Sequence, residues 1–205
     1  MDNEEILEEK QFEGLIQGLI DNDYACCDNF INQSTTSGLR TNIESLNETG
    51  KMKPSGVGNK SAFHQDKQIR GDKINWIGDQ STNPFEMVYL KKINNFILYL
   101  NRTCYASIKS FESHYSNYDK KSFYKRHLDQ FKNEKGRKYS TILYLNDGWK
   151  DEDGGNLTLH PKNKAQVNIS PSGGRLVFFR SDEMEHEVHP SFTRNRNSIA
   201  GWLKD

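Results

Sequence analysis

The first hundred residues carry apolar side chains at helical spacing, which predicts amphipathic helices in this part of the chain. We expect one helix over residues 4–20, a second from about residue 34 to residue 50, and a third over 84–103. The third stripe is the strongest, so it should form core beneath a sheet. Between the helices we expect a short strand at 24–27 and a loop over 51–69 that contains proline and glycine.

From residue 104 onward the pattern changes to short strand-like runs separated by turn signals such as Asn146-Asp147-Gly148. One further strand is predicted earlier in the chain, at 69–77. The strands predicted after residue 104 lie at 105–115, 123–129, 139–145, 156–160, 166–170, 174–180, 185–189 and 196–203. Many short antiparallel strands after helices predict an α+β fold with a mainly β core, a jelly roll buttressed by the N-terminal helices. We expect one domain over 1–205, with support from about 1–103 and the jelly roll at about 104–205.

Charge and composition argue against several classes of partner. The chain has 28 Lys+Arg and 28 Asp+Glu, so its net charge is zero and it lacks the basic excess that a nucleic-acid backbone attracts. It has no apolar run near the ~20 residues of a membrane helix, and its acidic start is unlike a signal peptide. Three cysteines, with Cys26 and Cys27 adjacent, are typical of free thiols in a reducing cytoplasm. No Cys/His cluster has zinc spacing.

The candidate chemistry begins at Tyr124-Lys125-Arg126-His127-Leu128-Asp129. In a strand, residues i and i+2 point to the same face, so His127 and Asp129 should project together. An imidazole beside a carboxylate supplies two ligands of the 2-His-1-carboxylate triad, which holds Fe(II) and leaves coordination positions open.

A third ligand and an anion anchor follow in the expected order along the chain. His186 comes after the apolar run Leu176–Phe179, Arg194 lies just before the last predicted strand, and Arg196 begins it. An arginine there can bind a carboxylate through two parallel hydrogen bonds. Strand alternation places Arg194 and Arg196 on the same face, so alternation does not decide which of them is the anchor.

Several segments resemble the Egl-nine-type prolyl hydroxylases, oxygen-sensing enzymes that hydroxylate hypoxia-inducible factor. The most specific is Ile69-Arg70-Gly71-Asp72-Lys73-Ile74-Asn75-Trp76-Ile77. The others are residues 124–129, 143–146 with Trp149, 153–157, 174–182 and 186–190, so the likeness spans about residues 12–203. The resemblance implies a double-stranded β-helix (jelly-roll) fold. Because the chain ends directly after its last predicted strand, we expect a minimal catalytic domain from a microbial or early-branching relative.

The resemblance implies Fe(II) as the metal and 2-oxoglutarate as the cosubstrate, with ascorbate as a further cofactor. The metal ligands, which are also the catalytic residues, would be His127, Asp129 and His186. The chain has one residue more than the family pattern between His186 and the arginine. If the family spacing is counted back from Trp202, the anchor for 2-oxoglutarate is Arg196; if it is counted forward from His186, the position falls on Asn195. The other residues implied at the cosubstrate are Tyr144 and Tyr115, with Ile142, Leu157 and Val188 lining the pocket.

For the substrate, the resemblance implies a protein with an exposed proline-containing loop, such as a translation factor or a transcription factor. The positions that would surround the proline are Trp76, Tyr124, Arg137 and Trp202, with Arg70 and Asp72 near the substrate loop at 51–69. Each catalytic cycle would give hydroxyproline, succinate and CO2. The resemblance also implies a role in oxygen sensing, and we expect a monomer.

Two alternative functions remain open from the sequence. One is a related oxygenase acting on a small molecule or a free amino acid. The other is a non-catalytic jelly-roll binding module, although a complete ligand set and anchor argue against it. A nucleic-acid demethylase is disfavoured by the zero net charge.

Overall fold

The fold begins with helices, as the apolar spacing predicts. The computed structural model describes residues 3–56, 68–130 and 136–205. Helices α1, α2 and α3 span Asn3–Asn22, Gln33–Glu48 and Pro84–Cys104. Asn32 caps α2 by accepting a hydrogen bond from the Thr35 amide, and Asn83 caps α3 in the same way at Phe85 and Glu86. The N-cap of α2 is therefore Asn32, the residue directly before the helix.

A seven-stranded antiparallel sheet forms the larger wall of the jelly roll, which confirms the predicted fold class. Its strand order is β1-β9-β6-β11-β4-β3-β2. The bounds are β1 Tyr24–Cys27, β2 Lys53–Pro54, β3 Asp72–Ile77, β4 Ser110–Tyr118, β6 Arg137–Tyr144, β9 Leu176–Arg180 and β11 Arg196–Lys204.

A smaller sheet of four strands faces the first, in the order β5-β10-β7-β8. The bounds are β5 Tyr124–His127, β7 Leu157–His160, β8 Val167–Ile169 and β10 Glu185–Val188, with a short 3-10 helix at Asp151–Asp153. The two sheets enclose the interior of the jelly roll, and the strands that carry His127 and His186 are neighbours in the smaller one.

The two faces of the large sheet serve different purposes because strand side chains alternate between them. One face packs on the helices and contributes Tyr115, Leu143, Phe178 and Ile199 to a core shared with Phe96 and other helical residues. The opposite face contributes Tyr118, Ile142, Tyr144 and Val177 to a second core inside the jelly roll. The candidate site lies on this second face.

Strand β4 begins and ends later than the sequence pattern predicts, at Ser110–Tyr118 and not at 105–115. The physical reason is a loop fixed by Asn101. Its side-chain amide donates to the Ile108 carbonyl at 2.8 Å, and its side-chain oxygen accepts from the Ile108 amide at 2.7 Å. These two bonds hold the segment between α3 and β4 out of the sheet, and the shift changes which tyrosine reaches the site.

The predicted loop at 51–69 is partly a strand. Residues 53–54 pair with β3 through Lys53↔Ile74 and Pro54↔Lys73, while residues 57–67 lie outside the described part of the chain. None of the helices described here has the length and apolar character needed to cross a membrane.

Candidate active site

Three side chains converge at one end of the jelly-roll interior: His127, Asp129 and His186. The Nε2 atom of His127 lies 3.6 Å from one carboxylate oxygen of Asp129, and the Nε2 atom of His186 lies 3.7 Å from the other. The candidate ligand atoms of all three residues lie within 4.8 Å of one another. The cross-strand pairing His186↔His127 between β10 and β5 sets this proximity.

Backbone carbonyls fix the orientation and tautomer of both imidazoles. His127 donates from Nδ1 to the Lys125 carbonyl at 2.8 Å, and His186 donates from Nδ1 to the Met184 carbonyl at 3.0 Å. A carbonyl can only accept, so each Nδ1 carries the proton and each Nε2 keeps its lone pair. Both lone pairs are thus available to a metal beside Asp129.

Asp129 is held as a carboxylate despite its burial. Burial alone would raise the pKa of Asp129, but His186, His127 and a hydrogen bond from the Ser140 hydroxyl hold that pKa well below its usual range. The Ser140 hydroxyl donates to Asp129 Oδ2 at 2.7 Å and lies 2.8 Å from the Ser181 hydroxyl. The Ser140 hydroxyl therefore orients the carboxylate of Asp129 through this hydrogen bond. The sequence pattern did not predict this contact.

This donor set fits Fe(II). Two neutral imidazole nitrogens and one carboxylate oxygen form the 2-His-1-carboxylate triad, and three protein ligands leave coordination positions for other ligands. Burial, with His127 next to it, lowers the pKa of His186 to about 4, so at neutral pH this imidazole is the neutral, metal-binding form.

A buried arginine lies on the large sheet, on the face that lines the jelly-roll interior. Arg196 is only 2% exposed, yet its Nε and Nη1 atoms have no hydrogen-bond partner among the described residues. It also forms no ion pair within that part of the chain. A buried cation without an anion is costly, so the geometry is that of a site built for an anionic ligand.

Tyr144 and Tyr118 complete the surroundings of Arg196. Their rings lie 5.3 Å and 4.6 Å from its guanidinium carbon, and the buried Tyr144 hydroxyl also has no partner in the described structure. Burial raises the pKa of Tyr144, with Arg196 opposing that rise, so the phenol remains a hydrogen-bond donor. Leu157, Ile142 and Val188 belong to the same core cluster and exclude water, which strengthens pairing between Arg196 and an anion.

The structure does not bring Tyr115 to this pocket. Tyr115 lies on the helix-facing side of β4, where its hydroxyl donates to Glu86 at 3.0 Å and accepts from Asn42 at 3.1 Å. Tyr118, three residues later, lies on the opposite side and pairs across strands with Arg196. Side chains alternate along β4, so Tyr115 and Tyr118 point to opposite faces of the sheet. The alternate residues His114, Ser116 and Tyr118 share one face, and this spacing was the signal in the sequence that could have identified Tyr118.

Arg194 lies outside the pocket. Its guanidinium donates to the Asp147 and Gly148 carbonyls at 2.8 and 2.7 Å and forms an ion pair with Asp153 at 2.9 Å. Arg194 precedes the first residue of β11, so the strand alternation that put both arginines on one face does not apply to it. Of the two arginines, Arg196 is the one that faces the jelly-roll interior.

An aromatic surface lies on the same face of the large sheet as Arg196. Trp76 is 54% exposed, and its ring lies 5.0 Å from His114 and 6.4 Å from Trp202. The Arg137 guanidinium carbon lies 3.7 Å from the centre of the Trp202 ring. Arg137 also donates to the Asp129 carbonyl at 3.3 Å, so this surface adjoins the triad.

Tyr124, Arg70 and Asp72 form a connected cluster beside His127. The Tyr124 ring stacks on the His127 imidazole with a centroid distance of 3.6 Å, and the Arg70 guanidinium carbon lies 4.3 Å from the Tyr124 ring centre. Arg70 binds the buried Asp72 through two hydrogen bonds, of 2.8 and 2.7 Å.

The same cluster also binds residues 55 and 56. Ser55 donates to Asp72 at 2.6 Å, and Arg70 donates to the Gly56 carbonyl at 3.3 Å. The residues expected around a substrate are therefore tied to a metal ligand.

Comparison with known proteins agrees with this geometry. The model of the 2OG-Fe(II) oxygenase superfamily matches residues 113–204. The chain is 30% identical over 191 residues to human Egl nine homolog 1, which covers 87% of this chain and 43% of that protein. The chain thus spans less than half the length of this curated relative.

Two solved structures are similar over nearly the whole chain. A prolyl hydroxylase from Trichoplax adhaerens, in complex with a hypoxia inducible factor peptide fragment, gives a TM-score of 0.88 at 27% identity, covering 100% of this chain and 94% of that one. A prolyl-4-hydroxylase from Pseudomonas putida gives 0.84 at 28% identity, covering 94% and 98%. Residues 113–204 therefore match the 2OG-Fe(II) oxygenase superfamily, and the chain is a homologue of the Egl-nine prolyl hydroxylases.

Proposed function

We propose that this protein is a prolyl hydroxylase that acts on a protein substrate and uses Fe(II), 2-oxoglutarate and O2. The observation that carries the cosubstrate assignment is Arg196, a buried cation without an anion on the same face as the triad. A dicarboxylate could bind the triad's open positions at one end and Arg196 at the other. The similarity to prolyl hydroxylases from two distant organisms supports proline as the target residue.

The chain's own residues bind, orient and exclude water. Arg196 and the Tyr144 hydroxyl would donate to the distal carboxylate, while Leu157, Ile142 and Val188 keep the pocket dry. His127, Asp129 and His186 would hold Fe(II), which with 2-oxoglutarate supplies the oxidation of a C–H bond by O2. Ser140 keeps the Asp129 carboxylate oriented throughout the cycle.

The exposed aromatic surface supports a peptide substrate. An exposed indole at Trp76, near Trp202 and Arg137, offers faces on which a proline ring can pack. The Arg137 contact to the Asp129 carbonyl ties this surface to the metal ligands. A substrate proline held there would present its ring carbons toward the triad.

The proposed compartment rests on the cysteines, whereas the proposed ascorbate requirement, oligomeric state and sensing role rest on the resemblance. Cys26, Cys27 and Cys104 are free thiols in the structure, which supports a reducing compartment such as the cytoplasm. Ascorbate as a further cofactor, a monomeric state and a role in oxygen sensing are proposed from the resemblance alone. A steep dependence of turnover on O2 across the physiological range would support the sensing role, and saturation far below that range would contradict it.

The test is succinate release from 2-oxoglutarate by the Fe(II)-loaded protein, with and without soluble extract from its host, followed by mass spectrometry of the extract. Stimulated turnover with one added oxygen on a proline of one protein is the expected result. Succinate release without a modified protein would replace the proposal with the small-molecule alternative. Bound iron without any succinate release would favour the non-catalytic module.

A further inference from the structure

A second cavity lies on the helix side of the large sheet, away from the triad. It has a volume of about 420 Å³ and is bounded by α2, the start of β11, the end of β4 and the loop after β6. Its buried floor is formed by three asparagines, Asn117, Asn146 and Asn197, which are 3%, 5% and 6% exposed. The volume is within the range of small-molecule sites.

This cavity is back to back with the proposed anchor for 2-oxoglutarate. Asn197 follows Arg196 in β11, and Asn117 precedes Tyr118 in β4, so alternation sends each neighbour to the opposite face. Asn117 and Asn197 are cross-strand partners, as are Tyr118 and Arg196. The two sites therefore share strands but no lining residue.

The asparagine floor is a hydrogen-bonded network with an unused acceptor. Asn117 donates from Nδ2 to the Asn197 side-chain oxygen at 2.7 Å, and the Asn197 amide donates to the Asn146 side-chain oxygen at 2.7 Å. The Asn117 side-chain oxygen is buried and has no partner among the described residues. A buried acceptor left unpaired is costly, so this atom points to a ligand that donates a hydrogen bond.

Charges of both signs line the cavity without pairing to one another. Glu44, Glu48 and Asp147 form no ion pair within the described residues. Arg40 binds only neutral groups there, donating to the Leu145 carbonyl at 3.3 Å and the Ser37 hydroxyl at 3.4 Å. Arg40 and Glu44 are one helical turn apart and yet do not bond to each other. A ligand that carries a cation and an anion would complement both kinds of charge.

We propose that this cavity is a second binding site, specific for a small zwitterion of the amino-acid class. The ligand's ammonium group would donate to the unpaired Asn117 oxygen and the neighbouring carboxylates, and its carboxylate would pair with Arg40. A simple dianion such as 2-oxoglutarate is disfavoured because the cavity is lined by three carboxylates and two guanidinium groups, one of which, Arg194, is already paired with Asp153. The proposal concerns binding alone and does not depend on the hydroxylase activity.

The test is calorimetric titration of the protein, loaded with Fe(II) and saturating 2-oxoglutarate under nitrogen, with each proteinogenic L-amino acid. Saturating 2-oxoglutarate occupies the Arg196 pocket, so binding there cannot mimic the proposed site. We expect at least one amino acid to bind, and we expect Asn117→Leu and Glu44→Lys to weaken it about tenfold or more. Glu44 is exposed on α2, so its substitution tests the site even if Asn117→Leu fails to fold.

The control variant is Trp76→Ala, on the opposite face of the sheet. Binding that survives Trp76→Ala but is weakened by Glu44→Lys supports the proposal. Loss in Trp76→Ala with retention in Glu44→Lys would place the amino acid at the substrate surface and overturn it. The absence of binding by any amino acid would also overturn it. Succinate release, measured separately, tests the hydroxylase proposal, so the two can fail independently.

Discussion

The guanidinium of Arg196 and the ring of Tyr118 face each other across β11 and β4, with 4.6 Å between the guanidinium carbon and the ring centre. This pair places a fixed positive charge on the same side of the sheet as the triad. In the proposed reaction Arg196, with Tyr118 and Tyr144 beside it, would bind the distal carboxylate of the cosubstrate.

Replacing Arg196 with methionine should abolish 2-oxoglutarate binding and yet leave the ligand-free protein as stable or more stable. The side chain is a buried cation without an anion, and an apolar replacement of similar volume removes its desolvation cost, worth roughly 1–4 kcal/mol. Urea unfolding without cosubstrate and the concentration of 2-oxoglutarate at half-maximal turnover give the two readouts.

Arg194→Met is the comparison that separates the two arginines. It removes an ion pair with Asp153 outside the pocket, so 2-oxoglutarate affinity should stay within about twofold, a difference of about 0.4 kcal/mol. A larger loss of affinity in Arg194→Met than in Arg196→Met would show that the anchor has been misassigned.

The two tyrosines of β4 should respond differently to substitution. Tyr118→Leu removes the ring beside Arg196 and should raise the 2-oxoglutarate requirement about tenfold or more. Tyr115→Phe removes hydrogen bonds with Glu86 and Asn42 in the helical core, so it should cost about 1 kcal/mol of stability and leave that requirement unchanged. Equal effects on cosubstrate binding would contradict the division of the sheet into two faces.

Ser140→Ala should weaken metal binding about tenfold because it removes the hydrogen bond that orients the Asp129 carboxylate. The matched control is Thr141→Val, the next residue of the same strand, whose hydroxyl contacts the Gly201 carbonyl on the other face. Titration with Fe(II) or Co(II), followed by absorbance, measures both. Indistinguishable affinities would mean that Ser140 does not support the ligand.

Trp76→Ala should lower hydroxylation of the protein substrate about tenfold or more without changing Fe(II) or 2-oxoglutarate affinity. The indole is half exposed beside Trp202, as expected for a residue that contacts a bound partner, and it touches none of the three triad residues. Substrate-independent succinate release should therefore persist. A parallel fall in cosubstrate affinity would instead indicate a structural role.

Acid should destabilise the protein partly through His114. Burial lowers the pKa of His114 to about 4 from an ordinary 6.5, so the unfolded state binds the proton first. The stabilising contribution is complete above pH 6.5 and is lost as the pH falls towards 4, for a total of about 3 kcal/mol. Urea unfolding from pH 7 to pH 4 should show a shallower loss of stability in His114→Asn than in the natural protein. Identical slopes would exclude this histidine as the cause.

The sequence predicted the helices and most strands closely because each has an uninterrupted apolar pattern. The third helix was expected at 84–103 and spans Pro84–Cys104. The triad was predictable because His127 and Asp129 are close in sequence and His186 follows the apolar run that forms β9. What sequence reasoning missed depended on where a strand begins. The Asn101 bonds that delay β4 are not visible as a periodic pattern, and the delay is why Tyr118, and not Tyr115, lies beside Arg196.

Ser140 and the asparagine cavity could not be predicted for a different reason. Each consists of polar residues from separate strands or loops, and only the register between β4, β6 and β11 brings them together. A buried serine or asparagine in isolation has many possible partners, so the residue type carries little information until the register is known.

The Arg70 and Asp72 cluster has an evolutionary consequence. Ser55 and Arg70 both bind Asp72, and Arg70 also donates to the Gly56 carbonyl, so residues 55–56 and 70–72 are joined at a single anchor. Arg70 also lies over the Tyr124 ring, which stacks on His127. A substitution at one of these positions disturbs its partners, so we expect homologues to exchange them together and not singly.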